Sequence, residues 1–240
     1  MIRILAISIL CLVSAALSKE KGNAGFLTID QLPDAGVYLP APPDTADGLF
    51  AGDSIRYAWG KSLRGTERGK QAVLDADNSM KYLAEYFSGA FGLKIDKKKT
   101  PELYRLMNKV RIDGENAQDK AKKKYMRKRP YVQFAEPTPV PGEEEKNRNT
   151  GSYPSGHTGC GWAMALVLAE INPDRQNFIL ERGYEYGESR VIVGFHYQSD
   201  VDAARASASA AVARLHADPE FQKQLAKAED EVRKALGGNE

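Results

Sequence analysis

Three histidines occur in 240 residues, and two of them stand beside groups that handle anions and protons. His157 lies in "YPSGHT", at the head of an apolar run that reaches Ile171. Ser155 can cap a helix beginning there, Gly156 permits close approach of a ligand to the backbone, and the unpaired first-turn amides make a binding place for an anion. His196 lies in "ESRVIVGFHYQSDVDAAR", separated from Ser189-Arg190 by five residues and followed four positions later by Asp200. A carboxylate at that separation reaches the imidazole if a helix starts near Ser199. It then fixes the ring tautomer so that the other nitrogen faces a substrate. His216, in "AVARLHADPEF", reads as a solvated or dipole-facing ring near a helix end.

Positive charge is concentrated in "KAKKKYMRKRP", with seven basic residues among the ten from Lys120 to Arg129. Taken locally this is a solvated charge run or a nucleic-acid patch. On a continuous helix, however, Lys122 and Arg129 return to nearly the same face at about 100° per residue, while Lys123, Lys124 and Lys128 diverge. Two cations would then look at one point. Cys160 sits inside the apolar run and is expected to be a small buried hydrophobe. The stretch "AVLDADNS" resembles the Asp-x-Asp opening of haloacid-dehalogenase-type phosphatases, which would make Asp75 a nucleophile beside magnesium. That motif needs a hydrophobic strand before it, and Ala72–Leu74 after "RGTERGKQ" is too short, so Asp75 is expected on a helix surface.

The elements that must hold these groups read as helices throughout. A helical pattern begins near Ser54; apolar residues recur at Val73, Leu74, Met80, Leu83, Tyr86 and Phe87, with Gly92 as a stop. Thr100-Pro101-Glu102 is good helix-start chemistry, with Thr100 as cap, and this helix or helix pair can run to Arg129, where Pro130 discourages continuation. Residues 131–153 read as a surface loop. Three more helices follow, at Thr158–Ile171, about Asp174–Val193 and about Asp200–His216, and a last one ends at Gly237-Gly238. No alternating strand pattern and no internal repeat appears, so the expected fold class is all-α, a compact helical bundle.

Composition narrows the setting. Residues 1–18 combine one positive charge at Arg3, an apolar run from Ile4 to Val13 and small residues before Ser18, the layout of a cleaved secretory signal peptide. A single domain is expected over 19–240, opening with an extended arm over 19–48 that carries Pro33, Pro40, Pro42 and Pro43. Loss of Arg3 from the 34 basic residues leaves 33 against 32 acidic ones, which removes a global electrostatic case for nucleic acid. Loss of Cys11 leaves Cys160 alone, without an intrachain disulfide. No later segment is apolar for long enough to span a membrane. A periplasmic or secreted protein is expected.

Taken in order, Lys122-x6-Arg129-Pro130, Pro154-Ser155-Gly156-His157 and Ser189-Arg190-x5-His196-x3-Asp200 resemble the tripartite signature of the acid phosphatase and vanadium haloperoxidase superfamily, with 23 and 31 residues between the segments. "GSYPSGHTGCGWAMALVLAEINPDRQ" and "SDVDAAR" resemble the class A bacterial nonspecific acid phosphatases in particular, over roughly residues 30–216. The resemblance implies metal-independent hydrolysis of phosphate monoesters (nucleotides, sugar phosphates, aryl phosphates) at acidic pH. It implies His196 as a nucleophile forming a phosphohistidine, His157 as the acid for the leaving alcohol and Asp200 as the group that orients His196. Lys122, Arg129, Ser155, Gly156 and Arg190 would hold the phosphate. Phosphotransfer to alcohols, product binding of inorganic phosphate, inhibition by vanadate and a homo-oligomeric state are further expectations. The alternative within the superfamily is a vanadate-dependent haloperoxidase. No metal, cofactor, nucleic-acid or membrane partner is expected.

Overall fold

A computed structural model describes residues 24–237. The signal-peptide reading of residues 1–18 therefore lies outside the described residues. Among the described residues twelve α-helices follow one another: α1 (Ala35–Tyr38), α2 (Phe50–Ser62), α3 (Glu67–Leu74), α4 (Met80–Phe91), α5 (Pro101–Asn116), α6 (Asp119–Tyr125), α7 (Pro130–Gln133), α8 (Pro141–Asn147), α9 (Gly156–Ile171), α10 (Gln176–Ile192), α11 (Gln198–Leu215) and α12 (Pro219–Gly237). A 3-10 turn, Pro173–Arg175, precedes α10, and no strand occurs among the described residues. The fold class is all-α, as the periodicity indicates.

Helix α9 is apolar on every face and lies at the centre, packed against α10, α5 and α11. Met164, Leu168, Leu103, Leu106, Met107, Phe87, Phe91 and Phe221 are fully buried in this core. Each such side chain contributes about 1.5–3 kcal/mol by leaving water. Backbone approach sets how tightly α9 is held. A Cβ on Gly114 of α5 would run into the Gly159 carbonyl of α9, and one on Gly159 into the Gly114 carbonyl, so these two helices touch main chain to main chain. Cys160 is buried in this centre.

Local signals hold at several element ends and fail at others. Gly92 ends α4 in the left-handed region at φ 79°, as expected of a glycine stop. Pro101 opens α5 with Thr100 at the N-cap position, as expected, but the Thr100 side chain makes no capping hydrogen bond. The first amides of α5 are instead received by Glu231 of α12, with Glu102 N and Leu103 N donating at 3.1 and 2.9 Å, while Thr100 Oγ1 accepts from Asp96 N. A carboxylate from a distant helix satisfies the terminal donors more strongly than a local hydroxyl. The arm, described from residue 24, is docked rather than merely extended: Leu27 and Leu32 are buried, Phe26 N and Leu27 N donate to Asp113, and α1 forms within it. Residues 131–153 are likewise not a simple surface loop, since they contain most of α7 and all of α8 and bury Tyr131 and residues 151–153.

Candidate active site

The basic segment departs most from its expected form. Helix α6 stops at Tyr125, and Met126 turns the chain into the left-handed region at φ 44°, so Arg127, Lys128 and Arg129 lie beyond the helix. Lys122 and Arg129 therefore do not share a helix face. They approach one another because the chain bends. The bend buries Arg127 and Arg129 and leaves Lys128 exposed, which separates the run into working and solvated cations.

Arg129 is 3% exposed and gripped from several sides. It donates to the carbonyls of Asn147, Gly151 and Phe195 and to Thr150 Oγ1, and its Nη1 lies 3.1 Å from His196 Nε2. A guanidinium has no lone pair to offer, so His196 Nε2 must be the acceptor and the ring proton belongs on Nδ1. That Nδ1 faces Asp200 Oδ2 at 3.4 Å, longer than a well-made hydrogen bond and an electrostatic rather than a tight contact. His196 reaches this position through the tight turn after α10, where Gly194 takes φ 82° and the amides of Phe195 and His196 both donate to the Arg190 carbonyl.

Ser155 caps α9, accepting from Thr158 N at 3.3 Å and Thr158 Oγ1 at 2.9 Å. Its own amide donates to the Asp200 carbonyl, which locks the head of α9 to the head of α11. Gly156 leaves room above the helix terminus: a Cβ there would meet Lys122 Nζ at 3.7 Å and Glu115 Cγ at 3.6 Å, ordinary contacts, so the Lys122 ammonium stands beside the first-turn amides. His157, the next residue, directs Nε2 to the Ala76 carbonyl at 3.0 Å. A carbonyl only accepts, so Nε2 of this ring carries the proton and Nδ1 is the remaining nitrogen. The two imidazoles thus hold opposite tautomers.

Arg190 is 2% exposed, and its Nε and Nη1 are buried without a hydrogen-bond partner among the described residues. Donors left in that state cost free energy unless something arrives to accept from them. The electrostatics agree. Burial first, and the Arg129 charge next, bring the Lys122 ammonium down to about 8, and burial brings Arg190 down to about 10. Burial followed by Arg129, Lys122 and Arg190 holds His196 well below the ordinary imidazole range, with the backbone of Ser152 opposing. His157 is lowered in the same way by burial and then by Arg190, with the Ala76 hydrogen bond opposing. Like charges about 4 Å apart repel by about 4 kcal/mol at an effective dielectric of 20, so a pocket with three cations favours an anion and disfavours an imidazolium while empty.

The structure thus brings Lys122, Arg129, Ser155, Gly156, His157, Arg190, His196 and Asp200 into one cluster. It also adds residues that spacing did not reveal. Arg127 bridges two buried carboxylates, Asp53 Oδ2 at 2.7 Å and Asp200 Oδ1 at 2.6 Å, and donates to Ser199 Oγ. Its only sequence signal was membership of the basic run. Asp75, expected on a helix surface, is fully buried and bonded to Ser189, because α3 ends against α10 rather than in solvent. His216 sits at the end of α11 with Nε2 3.2 Å from Glu170 Oε2, away from the pocket. Beside His157 opens a cavity of about 600 Å³ lined by Asn78, Glu115, Glu143, Lys146 and Asn147 among others. Among the described residues, no three His, Cys, Asp or Glu side chains gather as metal ligands, and no helix is long and apolar enough to cross a membrane.

Residues 115–220, which contain all eight pocket residues, match the PAP2 superfamily. The chain is 51% identical over 215 residues to a non-specific acid phosphatase of Providencia stuartii, covering 89% of this chain and 87% of that one. It is 45% identical over 196 residues to a non-specific acid phosphatase of Salmonella typhimurium, covering 81% and 78%. An acid phosphatase of Zymomonas mobilis is 35% identical over 202 residues, covering 84% and 76%.

Proposed function

The chain belongs to the PAP2 superfamily, among the bacterial non-specific acid phosphatases, and from that premise we propose that it hydrolyses phosphate monoesters through a phosphohistidine on His196. The observation that carries the reading is the buried cationic pocket, in which Arg190 has donors without acceptors and the Nε2 lone pair of His196 stands beside Arg129. Phosphoryl transfer asks the protein mainly for positioning and charge stabilisation. Lys122, Arg129 and Arg190 supply fixed cations, and the amides near Gly156 supply donors. Ser155 Oγ has its acceptor capacity taken by Thr158, so its O–H remains to donate to a phosphate oxygen.

In the first step the His196 Nε2 lone pair forms a bond to phosphorus as the bond to the ester oxygen breaks. The leaving oxygen takes a proton from Nδ1 of His157. Asp200 steadies by its charge the ring that now carries positive charge, its Oδ2 lying 3.4 Å from Nδ1. In the second step water attacks phosphorus, His157 takes its proton, and the pair in the phosphorus–nitrogen bond returns to His196. An alcohol in place of water gives phosphotransfer. His157 must start protonated, which the empty pocket resists. A bound phosphate dianion offsets the surrounding charge and restores its basicity, and this supports activity at acidic pH.

Polar groups in the cavity beside His157 suit varied hydroxylated leaving groups, in keeping with broad specificity. The N-terminal eighteen residues support export to the periplasm or medium, read directly by N-terminal sequencing of the mature protein. A homo-oligomeric state is read by light scattering. For the reaction itself, hydrolysis of an aryl phosphate at mildly acidic pH should persist in excess chelator and be blocked by vanadate, a phosphate mimic. Loss of activity in chelator that returns with a divalent metal would overturn the mechanism.

A further inference from the structure

One fully buried carboxylate has no part in the mechanism above. Asp75 closes α3 with no exposed surface. Its Oδ2 accepts from Ser189 Oγ at 2.5 Å; its Oδ1 accepts from Tyr82 Oη at 2.7 Å and Gln71 Nε2 at 2.8 Å. The nearest cation, Arg182 Nη2, is 3.8 Å away, while Arg68 donates to Ser189 Oγ rather than to the carboxylate. Burying a charge among mostly neutral donors is expensive, and packing alone would favour an apolar residue of similar size.

The turn that Asp75 opens touches three helices of the site in succession. The Ala76 carbonyl accepts from His157 Nε2 at 3.0 Å, the Asp77 carbonyl from Tyr186 Oη at 3.3 Å, and the Asn78 carbonyl from Arg111 Nη1 at 3.2 Å. Ser189, the partner of Asp75, immediately precedes Arg190. A single carboxylate thus ties the carbonyl that sets the tautomer of one imidazole to the helix turn that carries a phosphate-facing arginine.

We propose that Asp75 is a positioning residue for phosphoryl transfer, holding the Ala76 carbonyl where it keeps Nδ1 of His157 directed at the leaving oxygen. The proposal rests on the reading of His157 as the acid. An aryl oxygen leaves readily without a proton, whereas an alkyl oxygen needs one, so a misdirected His157 damages alkyl phosphate hydrolysis selectively. General acid catalysis contributes about 10²–10⁴-fold, and partial misalignment should forfeit a part of that.

The test is the ratio of kcat/KM for an aryl phosphate to that for a simple alkyl phosphate, in wild type, Asp75→Asn, His157→Ala and the double variant. Any loss of folded protein scales both substrates equally and cancels from the ratio, so a merely structural role leaves it unchanged. Asp75→Asn should raise the ratio by about tenfold or more, and in the His157→Ala background it should have no further effect on it. A selective rise in His157→Ala with an unchanged ratio in Asp75→Asn overturns the proposal and leaves the acid assignment standing. An unchanged ratio in His157→Ala removes the acid assignment itself, and the proposal with it. Should Asp75→Asn fail to fold, Tyr82→Phe deletes one donor to the carboxylate; a smaller rise is expected, and no rise counts against the role.

Discussion

Replacing Lys122 with methionine isolates the cost of keeping an empty anion pocket. Burial and the Arg129 charge bring this ammonium from 10.5 to about 8. At 1.36 kcal/mol per pKa unit, the charged side chain costs the folded, anion-free protein on the order of 3 kcal/mol. The folded protein releases this proton more readily than the unfolded chain. Stability therefore rises with pH between about 8 and 10.5, and below about 8 the full cost is present. Methionine keeps much of the stem volume without the charge. In mildly acidic buffer without phosphate, Lys122→Met should resist urea better than wild type, by up to about 3 kcal/mol. Phosphate at a hundredfold excess over its Kd should stabilise wild type by about 2.7 kcal/mol and the variant far less. Urea unfolding followed by circular dichroism, with and without phosphate, gives both quantities. A variant that is less stable than wild type without phosphate, or that gains as much from phosphate, would refute the reasoning that Lys122 is a partly buried charge held for an anion.

Arg127→Met should destabilise the protein by about 3–5 kcal/mol, since Asp53 and Asp200 would be left buried without their cation; an unchanged thermal midpoint rejects the clamp. Gly114→Ala should cost about 1–3 kcal/mol or more by pushing α5 off α9. Gly142→Ala, which meets nothing, should stay within about 0.5 kcal/mol of wild type, so equal melting of the two variants contradicts the close main-chain contact. The pocket cations depress His157 and a bound anion offsets them, so NMR titration should give this ring a higher pKa with phosphate than without. A fall, or no change, would mean that the phosphate binds elsewhere.

What could be read from the chain and what could not divides along sequence separation. Ser155 before a helix, Gly92 after one and Pro101 at the first position act within a few residues, and all three ends occur where local chemistry puts them. The His196–Asp200 pair is also local, because α11 begins at Gln198 and its first turn carries the carboxylate back toward the ring. The bend at Met126 was invisible: no glycine or proline marks it, and a lysine-rich run has good helix propensity. Lys122 and Arg129 meet for a reason other than helical phase. Asp53 was illegible because Arg127 lies more than seventy positions away, and Asp75 because Ser189, which joins Tyr82 and Gln71 in burying it, is also that distant. An acidic residue in a polar stretch gives no hint that a distant arginine or serine will cover it. Capping of α5 by Glu231 is the same case, a distant donor–acceptor match outcompeting the local threonine.

The central claim is that a phosphoryl group rests covalently on one imidazole during turnover. Quenching the enzyme in alkali while it hydrolyses an aryl phosphate, conditions under which a phosphoimidazole survives, and mapping the peptides by mass spectrometry tests it directly. The account predicts phosphate on the peptide containing His196, on that side chain and at Nε2. A burst of released alcohol with no phosphate bound to the protein, or phosphate found on His157 or any other residue, would contradict it.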